Sequence, residues 1–405
     1  MSLIPLIVCN ILKKIICFNI IINIFIFSVN FLIELSTMPL PHSDSMIISS
    51  GELGWECPSN IALVKYWGKY PGQIPANPSL SLTLSSCVTR THIAYRESDQ
   101  GSMEFLFEGA PKPEFAHKIQ GYLDSLHADL PWLTRVHLRI ESHNTFPHSS
   151  GIASSASAMG ALALGLASMD RAFRGAESGN SMNDSAFRAQ ASDLARRGSG
   201  SACRSIYGGY TVWGAHPAVP GSDDRRAVPL DMEAVHPSFR NLQDAVLLVD
   251  RGSKSVSSSV GHGLMNGHPY AQARFAQGAE RVDQLWTMLQ DGGEASWLAF
   301  MDLVESEALT LHAMMLASTP SYLLMKPSTV AILEEIRRYR NQSGVPVFFT
   351  LDAGANVHLL FPESASNQAM ELIDRQLTPY LNEGSYLCDR LGSGPTPWTR
   401  TPHTS

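Results

Sequence analysis

From about residue 51 onward, the pattern of apolar and polar positions switches repeatedly between the period of a strand and that of a helix. Residues 74–86 alternate between apolar and polar side chains, which predicts a strand. Residues 114–126 carry apolar side chains every three to four positions, which predicts a helix with one buried face. Residues 154–169 are mainly Ala, Leu and other small or apolar residues, so we expect a buried helix there.

Shorter patterns of the same kinds predict the remaining elements. Further strands are predicted over residues 90–95, 103–107, 135–142, 207–213, 245–249, 346–351 and 357–361. Further helices are predicted over residues 185–195, 271–289, 295–316, 329–341 and 366–377. Because strands and helices do not alternate regularly, we expect an α+β fold in two lobes. The polar stretch 216–231 indicates the boundary, so we assign residues 46–222 to an N-terminal lobe and residues 223–405 to a C-terminal lobe.

The beginning of the chain differs in composition from the rest, since its first Gly is Gly51 and its first Ala is Ala62. Residues 15–33 are rich in Ile and Phe, follow two lysines, and approach the ~20 residues that a membrane-spanning helix needs. Asn side chains inside this run would be costly in lipid, and no small-residue cleavage pattern follows it.

A membrane anchor and a signal peptide remain as alternatives for this apolar leader, residues 1–45. The abrupt change in composition favours a third interpretation, in which an upstream region has been translated from a start codon chosen too early. We therefore expect the native protein to begin at Met38 or Met46, to be cytoplasmic and to need no membrane.

Charge and cysteine content exclude several classes of protein. The 405 residues carry a net charge of −7 without a basic cluster, so a nucleic-acid partner is not expected. The 6 cysteines are scattered and form no CxxC pair, which argues against a disulfide scaffold or a structural zinc site.

A serine-rich segment, PHSSGIASSA at residues 147–156, lies between a predicted strand and the predicted Ala-rich helix. Small residues at the start of a helix let backbone N–H groups approach an anion, and serine hydroxyls can reach phosphate or magnesium. The alternative is an ordinary serine cap of the helix. The residues that would bind phosphate are Ser149, Ser150, Gly151, Ser154 and Ser155.

A second segment, KYWGK at residues 65–69, follows an apolar run and concentrates positive charge in a chain poor in lysine. Lys65, Tyr66 and Lys69 together suit the binding of a compact anion. The alternative is a solvated strand end whose lysines extend into water.

Two further segments carry chemistry. Within GSGSACRS, residues 198–205, the hydroxyls of Ser199 and Ser201 and the guanidinium of Arg204 can converge on a carboxylate or phosphate. Within LDAGAN, residues 351–356, Asp352 is followed by small residues and can face a cleft without being crowded. The alternatives are a flexible Gly/Ser turn and an ordinary Asx turn.

Taken together and in this order, NIALVKYWGK, the GIASSA loop, ARRGSGSACRSIYGGY and LDAGANVHLL resemble the diphosphomevalonate decarboxylase family of the GHMP small-molecule kinase superfamily. The resemblance covers roughly residues 52–395. This chain departs from the family pattern at residues 148–150, 157–159, 259 and 355, and the first two departures bear on nucleotide binding.

The resemblance implies a two-lobed GHMP-kinase-like fold with the active site between the lobes. It implies that ATP, with Mg²⁺, drives decarboxylation of (R)-5-diphosphomevalonate to isopentenyl diphosphate, with release of ADP, phosphate and CO₂. ATP is thus a co-substrate, the other partner is a small molecule, and a homodimer is expected.

The resemblance also assigns roles to residues. Asp352 would act as general base on the substrate hydroxyl, with Lys65 keeping it ionised, and Arg204 would hold the substrate carboxylate. The other expected substrate contacts are Tyr66 and Lys69 at the diphosphate, Ser199, Ser201, and Ser258 at the reacting end. ATP phosphates would lie against Ser149, Ser150, Gly151, Ser154 and Ser155, with Ser154 also a ligand of Mg²⁺.

Two alternative functions remain at this stage. A kinase of the same superfamily would phosphorylate a mevalonate-type substrate and stop, although Arg204 favours decarboxylation. A catalytically inactive metabolite-binding paralogue is disfavoured, because Lys65, Arg204 and Asp352 are all present.

Overall fold

The computed structural model describes residues 48, 50–147, 152–175, 184–250, 252 and 256–400, all within the compact unit Ile47–Ser405. The apolar leader therefore lies outside the described residues. Within the described ranges, the structure contains no helix that is both long and apolar enough to cross a membrane.

The larger sheet contains eight strands among the described residues. These are β1 Gly51–Val64, β4 Ser79–Glu97, β5 Ser102–Phe107, β6 Ala110–Pro111, β7 Val136–Asn144, β8 Tyr210–Trp213, β9 Ala227–Pro229 and β14 Thr396–Pro397. Their order is β14-β1-β4-β7-β5-β6, and β8 joins β4 to β9. The pairs are antiparallel except for β5 with β7.

A second, antiparallel sheet in the described part has the order β11-β12-β10-β13. Its strands are β10 Leu242–Leu247, β11 Phe348–Thr350, β12 Val357–Pro362 and β13 Tyr386–Arg390. A small ribbon pairs β2 Lys69–Tyr70 with β3 Ile74–Pro75.

Eight α-helices lie in the described ranges and pack around these sheets. They are α1 Pro113–Asp124, α2 Ser154–Phe173, α3 Ser185–Gly198, α4 Ser258–Gly263, α5 Ala271–Asp291, α6 Glu294–Leu316, α7 Pro327–Ser343 and α8 Ser366–Leu372. Helix α2 is buried along most of its length, as its Ala-rich composition predicts. Apolar side chains from both sheets and from α5 and α6 form a shared core.

The long strand β4 shows how the two sheets are joined. Its first part pairs with β8 and its last part with β7, and the change occurs around Ser85 and Ser86. There the carboxylate of Asp389, on β13, accepts hydrogen bonds from the backbone N–H groups of Ser85, Ser86 and Cys87 at 2.6–3.1 Å. Asp389 thus replaces the missing strand partner and ties the smaller sheet to the larger one.

Most predicted elements are present, with differences that have physical reasons. The strands predicted over 74–86 and 90–95 form one strand from Ser79 onward, because Asp389 satisfies the backbone where the alternation is interrupted. Residues 74–75 belong instead to the small ribbon. The strand predicted over 207–213 begins at Tyr210, because the preceding residues form a 3₁₀ helix, Gly200–Ile206, and a turn. The strand predicted over 245–249 is shifted to Leu242–Leu247.

The division into lobes at residues 222 and 223 stays a prediction. Strand β9 follows that position in the chain, yet it pairs with β8. Strand β14, near the end of the described chain, pairs with β1. Both strands are therefore parts of the larger sheet.

The chain leading to β14 passes very close to Gly208, which gives a test of this return. A Cβ on Gly208 would lie 2.2 Å from the carbonyl carbon and oxygen of Ser393. Because backbone atoms cannot move aside easily, we expect Gly208→Ala to lower the free energy of unfolding by about 1–3 kcal/mol. Denaturant titration measures this.

The matched control is Gly121→Ala in α1, where nothing lies within 4 Å of the added Cβ. Alanine stabilises a helix interior more than glycine does, so the free energy of unfolding of this variant should be unchanged or higher by up to about 1 kcal/mol. Equal stability of the two variants would contradict the described path of residues 391–394.

Candidate active site

A cavity of about 490 Å³ brings together the described residues that the sequence singled out. Its walls include Lys65, Tyr66, Lys69, Ser154, Ser155, Ser199, Ser201, Arg204, Ser258 and Asp352. Ser149, Ser150 and Gly151 lie outside the described residues. The individual roles of all these residues stay predictions at this point.

The wall of the cavity includes an ion pair between Lys65, which follows β1, and Asp352, which lies between β11 and β12. The ammonium Nζ and the carboxylate Oδ1 are 2.9 Å apart, and the exposed fractions of the two side chains are 2% and 23%. Burial lowers the pKa of Lys65, and the charge of Asp352 opposes that shift. Asp352 is therefore held next to a cation and still opens onto the cavity, which is the placement that a general base requires.

Arg204 forms a second buried cation in the 3₁₀ helix Gly200–Ile206. Its Nε donates to Asn60 Oδ1 at 3.0 Å and its Nη1 donates to Ser79 Oγ at 2.6 Å. The guanidinium carbon lies 5.7 Å from the centre of the Tyr66 ring. Burial lowers the pKa of Arg204, and its partners are neutral, so the site offers a desolvated positive charge to an anionic ligand.

An aromatic cluster forms the wall beside these cations. His262, on α4, stacks on Tyr66 and packs against Trp67, with ring centroids 4.5 Å and 4.4 Å apart. Its Nδ1 accepts the backbone N–H of Gly68 at 3.0 Å. Burial, with smaller contributions from Lys69 and Arg204, lowers the pKa of His262 to about 3. The neutral ring therefore carries its proton on Nε2.

Two lysines lie at another part of the wall. Lys69 Nζ donates to Gln73 Oε1 at 2.9 Å, and Lys118 of α1 lines the same cavity. Partial burial lowers the pKa of Lys69, and the charge of Lys118 adds to this effect. The pair therefore forms a positive region that suits a multiply charged anion.

The start of α2 brings Ser154 and Ser155 to the cavity. The N-cap position is Ala153 in the left-handed region, with φ 44°, so serine does not cap the helix as the alternative interpretation assumed. Ser155 Oγ lies 3.3 Å from Ser199 Oγ. A second, mainly apolar pocket of about 270 Å³ adjoins these serines; its walls include Phe105, Phe107, Phe115 and Met159.

Ser258 begins α4, next to Ser257, which caps that helix through a bond from Val260 N–H at 3.3 Å. Asp352 contacts Lys65 across the cavity, so its side chain does more than form an Asx turn. In the described part of the chain, no group of three or more His, Cys, Asp and Glu residues has the arrangement of a metal site.

The residues of the cavity wall that sequence reasoning did not assign to the site include Asn60, Lys118 and His262. Asn60 lies in the quoted segment NIALVKYWGK, and Lys118 is a lysine in a chain poor in lysine, so both carried a signal. His262 had none, because only the packing of α4 brings it to Tyr66.

Comparisons with known proteins agree with this geometry. Residues 57–224 match the family model of the diphosphomevalonate decarboxylase-like N-terminal domain, and residues 245–392 match that of the mevalonate 5-diphosphate decarboxylase C-terminal domain. The chain belongs to the diphosphomevalonate decarboxylase family. The predicted family, enzyme class and α+β GHMP-kinase-like fold are thereby confirmed.

Individual members of the family give the extent of the likeness. The diphosphomevalonate decarboxylase of Eremothecium gossypii is 30% identical over 77% of this chain and 77% of its own length. The crystal structure of mevalonate diphosphate decarboxylase from Staphylococcus aureus superposes with a TM-score of 0.72 at 27% identity, covering 86% of this chain and 98% of the other.

A structure of a protein abbreviated MDDEF, in complex with MVAPP, AMPPCP and magnesium, also has a TM-score of 0.72. It is 25% identical to this chain, over 87% of this chain and 100% of its own.

The neutral state of His262 predicts a pH-dependent loss of stability. The folded-state pKa of about 3 lies below the unfolded value of 6.5, so below pH 6.5 the unfolded chain binds a proton that the folded chain does not. Between pH 7 and pH 5 the free energy of unfolding of the wild type should therefore fall by about 2 kcal/mol more than that of His262→Gln.

Denaturant titrations of both proteins at these two pH values measure the difference. The control is His127→Gln, because His127 is exposed and lies away from the cavity. An equal pH dependence in wild type and His262→Gln would show that the ring is protonated in the folded protein.

Proposed function

We propose that this cavity catalyses the ATP-dependent decarboxylation of (R)-5-diphosphomevalonate to isopentenyl diphosphate. One observation carries the proposal: a buried ammonium–carboxylate pair, Lys65–Asp352, shares a cavity with a desolvated guanidinium, Arg204. A kinase needs the first feature, whereas a decarboxylase must also grip a carboxylate. Family membership supports the same reaction.

In the first chemical step, the oxygen of the tertiary hydroxyl forms a bond to the terminal phosphorus of ATP, the bond from that phosphorus to the bridging oxygen breaks, and ADP leaves. Asp352 accepts the hydroxyl proton, or orients the hydroxyl, while Lys65 stabilises the carboxylate in its ionised form. The hydroxyl group of a tertiary alcohol is a poor leaving group, and phosphorylation converts it into a good one.

In the second step, the C–O bond to the new phosphate breaks and phosphate leaves with the electron pair. Positive character develops at the tertiary carbon. The bond between the carboxylate carbon and its neighbour then supplies the electrons of the new C=C bond, and CO₂ leaves. Arg204 holds the carboxylate in position until that bond breaks.

The other cavity walls suit the remaining parts of the two substrates. Tyr66 and the pair Lys69 and Lys118 would bind the diphosphate, and Ser199, Ser201 and Ser258 would donate hydrogen bonds. ATP phosphates would lie against Ser154 and Ser155, and the adjoining apolar pocket would take the adenine ring. The phosphate-binding role of Ser149, Ser150 and Gly151 remains part of this proposal.

Magnesium fits this donor set. Mg²⁺ bound through phosphates needs only one or two protein oxygens, so the absence of an acidic cluster among the described residues does not conflict with it. Ser154 is the residue that would hold it, and the ion would neutralise charge on the phosphates. The MDDEF complex with AMPPCP and magnesium supports the use of ATP as co-substrate and of Mg²⁺. A homodimer in the cytoplasm completes the proposal.

Product analysis tests the proposed reaction. Purified protein supplied with ATP, Mg²⁺ and diphosphomevalonate should release CO₂ and isopentenyl diphosphate in equal amounts. Accumulation of a phosphorylated mevalonate derivative without CO₂ would replace the proposal with the kinase-only alternative.

An Asp352→Asn variant should lower kcat by about 10²-fold or more and keep ATP binding, since positioned proton transfer contributes ~10²–10⁴ in rate.

Arg204→Lys tests the grip on the carboxylate. Lysine retains a positive charge but lacks the planar guanidinium, so we expect a loss of roughly 2–4 kcal/mol in transition-state stabilisation, read from kcat/KM. The control Arg340→Lys changes another mostly buried arginine, which pairs with Glu305 away from the cavity. Near-normal kcat/KM in Arg204→Lys would show that the guanidinium supplies only diffuse charge.

A further inference from the structure

A buried ion-pair network lies next to the Lys65–Asp352 pair and contacts the backbone of Lys65. Glu307 of α6 accepts from Arg274 Nη2 at 2.6 Å and from Arg281 Nη1 at 2.6 Å, both on α5. The side chains of Glu307 and Arg274 are 0% exposed. Removing such charges from water is expensive, and apolar residues of equal volume are often as good for stability. The network therefore calls for a role other than stability.

The network contacts the backbone on both sides of the Lys65 side chain. Glu307 Oε2 accepts the backbone N–H of Lys65 at 2.7 Å. Arg274 Nη2 donates to the backbone carbonyl of Lys65 at 2.7 Å, and Asn77 Nδ2 donates to the same carbonyl at 3.0 Å. Charge-assisted bonds thus fix both peptide groups next to this residue, and with them the origin of its side chain.

Helix α6, which carries Glu307, also contacts Asp352, the partner of Lys65. About one and a half turns beyond Glu307, His312 Nε2 lies 3.1 Å from the backbone carbonyl of Asp352. A carbonyl oxygen can only accept, so Nε2 donates. One rigid element, α6, therefore grips the chain at Lys65 through Glu307 and at Asp352 through His312.

We propose that Glu307 and His312 are positioning residues that set the distance between the Lys65 ammonium and the Asp352 carboxylate. This inference rests on the proposed function, because it matters only if that pair acts on the substrate. The two reacting side chains come from different sheets, so neither sheet alone can fix their separation. Helix α6 packs against both β1 and β11 and supplies the common reference.

The chain offers a closely matched control on the same helix. Glu305 is also buried and pairs with two arginines, Arg337 at 2.8 Å and Arg340 at 2.6 Å, on α7. Glu305 thus resembles Glu307 in charge, in the burial of its carboxylate and in having two arginine partners. Its carboxylate contacts α7 and not Lys65 or Asp352, so Glu305→Gln reproduces the loss of a buried charge without touching the catalytic pair.

The experiment compares Glu307→Gln with Glu305→Gln. Both variants should be less stable than wild type in thermal unfolding, and both are assayed well below their transitions. Active-site concentration is normalised by the stoichiometry of AMPPCP binding. We expect kcat of Glu307→Gln to fall about tenfold or more, since a misplacement of ~1 Å can cost on the order of 10²-fold. KM for diphosphomevalonate should change less than about twofold.

Glu305→Gln should retain kcat within about twofold. Equal kcat in the two normalised variants would overturn the positioning role of Glu307. A fall confined to KM would overturn it as well, because the displaced pair acts on the chemical step and not on diphosphate binding.

His312 provides an independent measurement if Glu307→Gln folds poorly. His312→Gln keeps a side-chain N–H donor and should retain most of kcat, whereas His312→Leu removes the donor and should lose about tenfold. Equal activity of these two variants would remove His312 from the proposal.

Failure of the inference is distinguishable from failure of the proposed function. If wild type itself releases no CO₂, the proposed function fails before any variant is compared. If wild type is active and Glu307→Gln matches Glu305→Gln, only the positioning role is lost.

Discussion

The buried contact between Lys65 and Asp352 is the constraint on which the remaining structure depends. An ammonium group with 2% exposure needs a counter-charge, and the carboxylate of Asp352, 2.9 Å away, supplies it. Because Lys65 follows a strand of the larger sheet and Asp352 lies between strands of the smaller one, the pair can form only where the sheets meet. Two features hold the sheets together there. Asp389 joins β4 to β13, and helix α6 contacts the backbone of both Lys65 and Asp352.

Among the described residues that line the cavity, four are cationic, Lys65, Lys69, Lys118 and Arg204, and one is a carboxylate, Asp352. Burial lowers the pKa of Lys65 and of Arg204, and partial burial lowers that of Lys69. In a chain with a net charge of −7, these cations are concentrated in one cavity. A substrate that carries a diphosphate and a carboxylate relieves their mutual repulsion, so binding and electrostatic stabilisation are coupled.

Residue patterns were informative where chemistry or periodicity is local. The alternation and helical stripes predicted most elements, and KYWGK, GSGSACRS and Asp352 carried the family resemblance. Long-range contacts could not be predicted in this way. Strand β4 continues through Ser85 and Ser86 because their backbone N–H groups donate to Asp389, which is about 300 residues away in the sequence.

The same reason explains what was missed in the site. His262 lines the cavity because α4 packs on Tyr66 and Trp67, and no feature of its own segment indicates this. Glu307 and His312 look like ordinary helix residues until the fold brings α6 behind Lys65 and Asp352. Positioning residues act through backbone contacts, and those contacts leave no motif in the sequence.

The most direct test of the account is whether Lys65 and Asp352 act as one unit. A double-mutant cycle with Lys65→Met, Asp352→Asn and the double variant gives kcat/KM for CO₂ release, normalised by AMPPCP binding. The account predicts strong non-additivity, with the double variant impaired about as much as the worse single variant. Losses that multiply, as for two independent groups, would contradict it.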